Sequence, residues 1–344
     1  MRGRRRLWLS LLAVPLVLLA ADTAYWRLVA GNLERGFANW VSVQKAHGWT
    51  EQNGRTSVGG WPFAAILVVP ALSLTHGGSD MPGRVFWSAE RVKLRIALMR
   101  PAMLEIAPEG QQQVRLANNP AVPYTAGRLR LLLPLQAKDW PDFAELAVAN
   151  LRAETPTGVA SVGSLQLQLV FHPEARSGEP AVIASLQAGD LGLPPRTVRP
   201  LGPNVAKVEM EAALNGPLPV AGAPADQATS WRDGGGSLAI QHLVLTWGPL
   251  DLSASATLAL DDQLQPMGAG TAHIVGYAET LDTLAAHSMI SRSAATAAKA
   301  VLSLLANAPG DGSRPDVEVP LTLQYRTLSM RQVPLLRLPE VDWP

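Results

Sequence analysis

Most of the chain alternates apolar and polar positions with a period of two, which is typical of β-strands with one buried face. The segment VKLRIAL (92–98) places four apolar side chains on one face and Lys93 and Arg95 on the other. Similar alternation occurs at 128–135, 165–171, 206–214, 250–260 and 316–330. Strands with one covered face are commonest in antiparallel sheets. The pattern therefore predicts a mainly β (α+β) chain built on an extended, curved antiparallel sheet.

Helical spacing occurs in two places beyond the N-terminus. In one, apolar residues recur at i, i+4, i+7 and i+8 and predict a short amphipathic helix over about residues 32–46. In the other, an alanine-rich stripe predicts two short helices, or one kinked near Ser288, over about 280–307. We expect these helices to pack on one side of the sheet.

Segments rich in proline and glycine predict loops at 172–180, 191–204 and 215–237. These breaks suggest two β-rich halves divided near residue 200. The predicted organisation is an N-terminal targeting segment at 1–26, a helix followed by strands at 27–200, and a second β-rich half at 201–344.

The N-terminus has the layout of an export signal. Arg2, Arg4, Arg5 and Arg6 precede an uninterrupted apolar run, Leu7–Ala21, and a basic flank followed by an apolar region is typical of secretory targeting. Under the positive-inside rule the arginines stay cytoplasmic and the rest of the chain is exported. The sequence therefore predicts a periplasmic protein held at the inner membrane by its N-terminus.

Two features of the segment bear on whether it is cleaved. The apolar run is shorter than the roughly 20 residues that normally span a bilayer, although Tyr25 and Trp26 could extend it to the far interface. A small-x-small cleavage motif is poor, because Leu19 and Ala21 would occupy its two positions. The sequence therefore favours a signal anchor over a cleaved signal peptide.

Composition excludes several classes of function. The chain has 344 residues and no cysteine, which excludes disulfides and zinc–thiolate sites. The formal net charge is +1; without the four N-terminal arginines, 25 Lys+Arg oppose 28 Asp+Glu, a net of −3. Because this balance does not support a basic surface beyond the targeting segment, we expect no nucleic-acid partner.

A search for catalytic motifs yields little. The six histidines are scattered without metal-ligand spacing. The segment GVASVG (158–163) places Ser161 one residue too far from Gly158 for a nucleophile elbow, and strand patterns flank it on both sides. The glycine-rich WRDGGGS (231–237) lacks the Lys-Ser/Thr of a phosphate loop. We therefore predict no catalytic residues, cofactor or metal, and a protein that is not an enzyme.

The stretch GGWPFAAILVVP (59–70) combines two glycines with Trp61, Pro62 and Phe63 ahead of a short apolar run. Pro62 suits the first position of a strand, where a missing N–H breaks no ladder bond. Gly60 can adopt backbone angles closed to other residues. The stretch is predicted to be the turn and first strand that follow the N-terminal helix.

This Gly60-Trp61-Pro62-Phe63 step, about forty residues beyond an N-terminal anchor, resembles the signature of the bacterial envelope family known as domain of unknown function 2125. The segments FWSAERVKLRIALMRP, LAVANLRAETPTG and LALDDQLQPMGAGTAHIVGYAETLDTL are similar to later parts of that family. One departure is the absence of the expected glycine before the last strand, in QYRTLSMRQVPLLRLP. The resemblance covers nearly the whole chain.

The resemblance implies no activity, because the family has none assigned. Its layout is similar to that of AsmA-like envelope proteins, which are associated with handling lipids in an apolar β-groove; this is an analogy of fold. Our leading hypothesis is a non-enzymatic, membrane-anchored periplasmic protein that binds lipid or another hydrophobic ligand. A groove requires more apolar sheet face than the helices can cover. The alternatives are a structural or interaction protein of the envelope without a ligand, and a hydrolase with dispersed site residues.

Overall fold

The longest element of the chain is its N-terminal helix. The computed structural model describes residues 2–77, 84–117, 119–135, 140–219, 222–306, 314–330 and 333–343, without the side chains of 2–15 and 333–336. Helix α1 (Arg2–Ala46) is continuous, so the prediction of a separate helix starting near residue 32 is wrong. Gly31 and Gly36 each weaken a helix by about 1 kcal/mol relative to alanine. The packing of Val29 and Leu33 into a core offsets this cost.

The predicted fold class is confirmed, because 52% of the structure is strand and 22% is helix, with the strands in a large antiparallel sheet. The chain divides into two compact units. Unit 1 comprises residues 1–125 and 129–137, and unit 2 comprises residues 126–128 and 138–344. The predicted division near residue 200 falls inside unit 2.

Unit 1 combines α1 with seven strands. They are β1 (Trp49–Gln52), β2 (Ser57–Gly59), β3 (Ala64–His76), β4 (Val85–Ala97), β5 (Met103–Leu116), β6 (Val122–Thr125) and β7 (Arg128–Pro134). Strands β3, β4 and β5 pair antiparallel as the centre of the sheet. The short strands β1 and β2 share the free edge of β3, and β6 and β7 share that of β5.

An interruption of the ladder, with the register unchanged on either side, divides the two long strands β3 and β4. The register skips a residue on both strands, where Pro70 pairs with Arg91 and the next pair is Leu72 with Ala89. Ala71, which is skipped, adopts a left-handed backbone with φ of 48°. Because side chains alternate with period two along a regular strand, this left-handed residue switches the face that later positions occupy. Both Val69 and Leu72 are therefore buried in the same core.

The core of unit 1 lies between α1 and one face of this sheet. Val29, Ala30 and Leu33 of α1 belong to one core with buried side chains of β3 and β4, among them Leu67 and Leu94. Val92, Leu94 and Ile96 are all buried, which confirms the sequence-based assignment of the inward face of β4.

Unit 2 is an antiparallel meander in which every strand pairs with the next one along the chain. Its strands are β8 (Phe143–Thr155), β9 (Gly158–Phe171), β10 (Pro180–Gly192), β11 (Asn204–Asn215), β12 (Ser237–Trp247), β13 (Leu250–Leu260), β14 (Pro266–Val275), β15 (Asp316–Gln324), β16 (Thr327–Met330) and β17 (Val333–Arg337). The predicted hairpin at Gly248-Pro249 is confirmed by the pairing of Trp247 with Leu250.

Three helices accompany this meander: α2 (Pro224–Asp233), α3 (Tyr277–Ala286) and α4 (Arg292–Leu305). Ser288, with φ of 58°, lies between α3 and α4, which confirms the predicted break. Helix α2 occupies a segment predicted to be loop; its polar sequence carries little apolar periodicity. The predicted single strand at 316–330 is instead a hairpin, because Tyr325 and Arg326 both take positive φ at its turn.

The core of unit 2 lies under α3 and α4. Tyr277 of α3 and Leu302 of α4 pack with the buried residues Ala272, Val317 and Val319 of β14 and β15. These helices therefore cover the sheet at the strands nearest the C-terminus.

Candidate functional site

Unit 1 contains an apolar cavity of about 740 Å³ between α1 and the sheet. We call it the unit 1 cavity. On the helix side it is lined by Tyr25, Leu28, Val29, Asn32, Leu33, Gly36, Phe37 and Trp40. On the sheet side it is lined by Val69, Leu72, Leu74, Trp87, Val92, Leu94, Ile96, Pro101, Leu104, Ile106, Leu133 and Leu135.

Helical periodicity explains the wall that α1 contributes. The lining residues recur every three or four positions, so they form one stripe along the helix. Within this stripe Val29 and Leu33 are buried, whereas Leu28 is 58% exposed and Trp40 is 39% exposed. The helix therefore packs on the sheet with one edge of its apolar stripe and leaves the other edge beside the cavity.

The sheet wall comes from inward-facing positions of β3, β4, β5 and β7. The opposite face of the sheet carries ion pairs, with Lys93 bound to Glu109 at 2.7 Å and Arg95 to Glu105 at 3.1 Å. All four side chains are partly exposed, so these pairs add little stability. Because these charged side chains lie on the opposite face, the described part of the sheet face that lines the cavity carries no charge.

Polar groups are scarce in the cavity wall. None of the described lining residues is charged, and Asn32 supplies its one carboxamide side chain. The indole N–H of Trp87 donates to the phenol oxygen of Tyr124 at 2.8 Å, so its hydrogen bond is satisfied within the protein. Burial raises the pKa of the Tyr124 phenol, and the hydrogen bond from Trp87 opposes this shift. The cavity therefore suits a hydrocarbon rather than a polar ligand.

In unit 2 the apolar face of the sheet continues beyond the helices. One row of paired positions runs across eight strands: Leu146, Leu167, Leu186, Met210, Leu243, Ala254, Ala272 and Val319. Ala272 and Val319 are buried beneath α3 and α4, whereas Leu167, Leu186 and Met210 are only partly buried. Within the described part of unit 2, the apolar sheet face thus exceeds what these helices cover.

A second, smaller cavity of about 480 Å³ lies in unit 2 near α2. Trp140, Trp231 and Trp343 contribute to its wall. The indole N–H of Trp231 donates to the carbonyl oxygen of Asn215, and that of Trp343 to the carbonyl oxygen of Leu264, both at 2.9 Å. The indole N–H groups of Trp231 and Trp343 are therefore already hydrogen-bonded to backbone carbonyls of the protein.

The family-signature residues lie at one end of the unit 1 sheet. Gly60 has φ of 92° and accepts a hydrogen bond from the N–H of Ala64 at 3.0 Å, which closes the turn. The Trp61–Pro62 peptide bond is cis, and strand β3 begins after Phe63. Pro62 therefore belongs to the turn, which corrects its predicted place at the start of a strand, and β1 and β2 precede the strand predicted to be the first.

The residues weighed for catalysis are not gathered into a site by the structure. Ser161 lies inside β9, paired with Arg152 and Gly192 on the flanking strands, and not on a strand-to-helix turn. Among the residues that the structure describes, no group of three or more His, Asp or Glu side chains is placed to hold a metal ion. The side chains of Arg2, Arg4, Arg5 and Arg6 lie outside the described set.

The exposed apolar part of α1 precedes the cavity. Leu16, Val17 and Leu18 are each at least 64% exposed. Over the described residues, no helix has both the length and the hydropathy that a membrane span requires.

The cavity wall on α1 is what the sequence analysis missed. The stripe from Tyr25 to Trp40 could have been found by extending the helical periodicity through Gly31 toward the N-terminus. Its partners on the sheet are distant in sequence, so no local pattern reveals them.

A scan against protein-family models matches residues 26–339 to the family described as "Uncharacterized protein conserved in bacteria (DUF2125)". No curated protein matches the chain. No solved structure matches it either.

Proposed function

The chain belongs to DUF2125, a family of uncharacterised bacterial proteins, and we propose that it is a non-enzymatic protein of the cell envelope that binds lipid. In this proposal α1 anchors the chain in the inner membrane and the remainder lies in the periplasm. The unit 1 cavity holds an acyl chain. The observation that carries the proposal is the uncharged, almost wholly apolar wall of that cavity.

The size and shape of the cavity suit an acyl chain. Its volume of about 740 Å³ falls within the range of about 300–1,000 Å³ for small-molecule sites. Its lining on β4 runs from Trp87 to Ile96, a rise of about 30 Å at the spacing of a strand. The hydrocarbon core of a bilayer is about 30 Å thick, so a chain from one leaflet extends about 15 Å. An extended acyl chain therefore fits along the strands.

The chemistry of the wall favours the tail of a lipid over its headgroup. Each methylene removed from water contributes about 0.8 kcal/mol, and the leucine and valine side chains of the wall supply that environment. A charged headgroup would find no ionic partner among the described lining residues. We therefore expect binding to depend on chain length more than on headgroup type.

Two further features support the envelope location and the lipid ligand. The arginine cluster and the apolar run Leu7–Ala21 form a signal-anchor pattern with the basic end on the cytoplasmic side. In unit 2, Leu167, Leu186 and Met210 offer a second apolar surface that α3 and α4 leave uncovered. A surplus of apolar sheet face is what lipid handling requires.

Gly36 allows the cavity to be blocked without damage to the fold. It lines the cavity, and no described atom lies within 4 Å of the position its Cβ would occupy. Leucine is favoured over glycine in a helix by about 0.8 kcal/mol, so Gly36→Leu fills space while supporting α1. Gly31→Leu is the matched control, because Gly31 has equal free space but is not among the lining residues.

The test is photo-crosslinking of the full chain in vesicles that contain a phospholipid with a diazirine on its acyl chain. We expect crosslinks on the cavity strands β4 and β5 in the wild-type protein and in Gly31→Leu. Gly36→Leu should reduce them about tenfold, which corresponds to about 1.4 kcal/mol. Crosslinks confined to the N-terminal segment in all three proteins would refute acyl-chain binding and favour the alternative of an interaction protein without a ligand.

A further inference from the structure

One end of the unit 1 sheet carries a group of exposed apolar side chains. Phe63 is 80% exposed, Met99 is 93% exposed and Trp61 is 45% exposed. They belong to the turn that precedes β3 and the turn that joins β4 to β5. The N–H of Leu98 donates to the carbonyl oxygen of Phe63 at 3.1 Å, so the two turns lie side by side. We call these three side chains the apolar tip.

Helix α1 leaves the sheet at this same end. The indole N–H of Trp26 donates to the carbonyl oxygen of Ala64 at 2.9 Å, which holds the helix beside the first residue of β3. Leu16 precedes Trp26 by ten residues, a rise of roughly 15 Å along a helix. The exposed side chains of Leu16, Val17 and Leu18 therefore project beyond the end of the sheet that carries the apolar tip.

Exposed charges at this end suit a phospholipid surface. Arg27 follows the helix contact, and Arg100 follows Met99 in the neighbouring turn; both are exposed. The acidic residue of α1 nearest to Trp26 and Arg27 is Asp22. Anionic lipid headgroups attract basic side chains, and tryptophan is enriched where protein meets the bilayer interface. The apolar tip, which includes Trp61, and the two neighbouring arginines together match the composition of that interface.

We propose that the apolar tip of unit 1 inserts into the phospholipid bilayer from which α1 emerges. This inference rests on the proposed membrane anchorage of α1 and adds a second contact with the same membrane. The N–H of Leu135 donates to the carbonyl oxygen of Ala102 at 2.7 Å, which places Leu135 at the same end of the sheet. Because Leu135 and Pro101 line the unit 1 cavity, insertion of the tip brings this end of the cavity to the bilayer.

The absence of cysteine in the chain permits a test at single labelled positions. Phe63→Cys and Met99→Cys place an environment-sensitive fluorophore on the tip. Leu116→Cys is the matched control, because Leu116 is 55% exposed and lies at the other end of β5. Leu19→Cys, which is 50% exposed on α1, reports whether the helix itself is in the membrane.

Each full-length variant is reconstituted in vesicles of phosphatidylcholine and phosphatidylglycerol, with and without a lipid that carries a nitroxide quencher on its acyl chain. We expect probes at 63, 99 and 19 to lose most of their emission to the quencher and the probe at 116 to keep it. Quenching at 19 but not at 63 and 99 would overturn the insertion of the tip and leave the anchorage intact. Absence of quenching at 19 as well would overturn the anchorage and, with it, this inference.

Discussion

The indole nitrogen of Trp26 lies 2.9 Å from the carbonyl oxygen of Ala64 and donates a hydrogen bond to it. The residues are 38 positions apart in sequence, and Ala64 is only 3% exposed. This bond joins α1 to the first residue of β3, and it therefore fixes the helix wall of the unit 1 cavity against the sheet wall.

Loss of this bond should destabilise unit 1. Trp26→Phe keeps an aromatic ring but leaves a buried carbonyl without its donor, which costs about 1–3 kcal/mol. We expect that decrease in the free energy of unfolding, measured by urea denaturation of the full chain in detergent. Trp40→Phe on the same helix, where the indole is 39% exposed, should change it by less than about 0.5 kcal/mol. Equal effects of the two substitutions would contradict a structural role for the bond.

The sequence predicted the elements of the sheet better than it predicted the site. Alternation identified the inward face of β4, because burial of one sheet face imposes a period of two along a single strand. Alternation could not predict that the left-handed backbone of Ala71 brings Val69 and Leu72 to the same core. Helix α2 was missed because its segment is polar, and its docking depends on long-range contacts, among them the hydrogen bonds from Trp231 to the Asn215 carbonyl and from Arg232 to the Asp261 carbonyl.

The sequence indicated an apolar groove, but it did not indicate where in the chain such a groove lies. The abundance of apolar strand faces indicated a hydrophobic groove, but the wall formed by α1 depends on packing between residues far apart in sequence, such as Leu33 and the β4 residues of the same core. The sequence predicts only a structural role for the GGWPF segment. Its exposed Trp61 and Phe63 could not be anticipated, because whether an aromatic side chain is buried depends on what packs over it.

Gly60 should tolerate no side chain. Its φ of 92° is unfavourable for other residues, and an added Cβ would lie 2.6 Å from the carbonyl oxygen of Ala64 and 2.7 Å from a side-chain carbon of Ile66. We expect Gly60→Ala to lower the free energy of unfolding by about 1–3 kcal/mol. The neighbouring Gly59→Ala is the control, since no described atom lies within 4 Å of its added Cβ. A denaturation midpoint equal to that of Gly59→Ala would refute the assignment of strain to Gly60.

Tyr124 should ionise late in an alkaline titration. An unfolded tyrosine has a pKa of about 10, and burial raises the pKa of the folded Tyr124. The folded chain therefore keeps a proton that the unfolded chain releases. This group leaves stability unchanged below about pH 10, and the free energy of unfolding falls as the pH rises from there through the folded pKa.

The ultraviolet absorbance of tyrosinate follows this titration directly. Tyr124→Phe should remove a component that ionises above the usual pKa of tyrosine, whereas Tyr325→Phe, at an 85% exposed position, should leave it in place. Trp87→Phe removes the hydrogen bond that opposes the shift and should move the pKa of Tyr124 further upward. Retention of the late component in Tyr124→Phe would contradict its assignment.

Gln265 should hold the C-terminal tail against the turn between β13 and β14. Its carboxamide donates to the carbonyl oxygen of Val341 at 3.1 Å and accepts from the N–H of Val341 at 2.9 Å. The residue is only 5% exposed, so water replaces these bonds poorly when the tail is in place. Gln265→Met keeps the length of the side chain and removes both bonds to Val341, each of which contributes about 1 kcal/mol, together with the bond from the Gln265 amide to the Gln263 carbonyl at 3.2 Å.

We expect the tail of Gln265→Met to open more often and to be digested faster by a carboxypeptidase, because proteolysis follows the population of the locally opened state. The bond from the Trp343 indole to the Leu264 carbonyl remains, so the rest of unit 2 should stay folded and the denaturation midpoint should change little. Gln263→Met, at an exposed position in the same turn, should be digested like the wild type. Because Trp343 also lines the unit 2 cavity, an opened tail removes part of that wall. Equal digestion of the three proteins would refute the role of Gln265 in holding the tail.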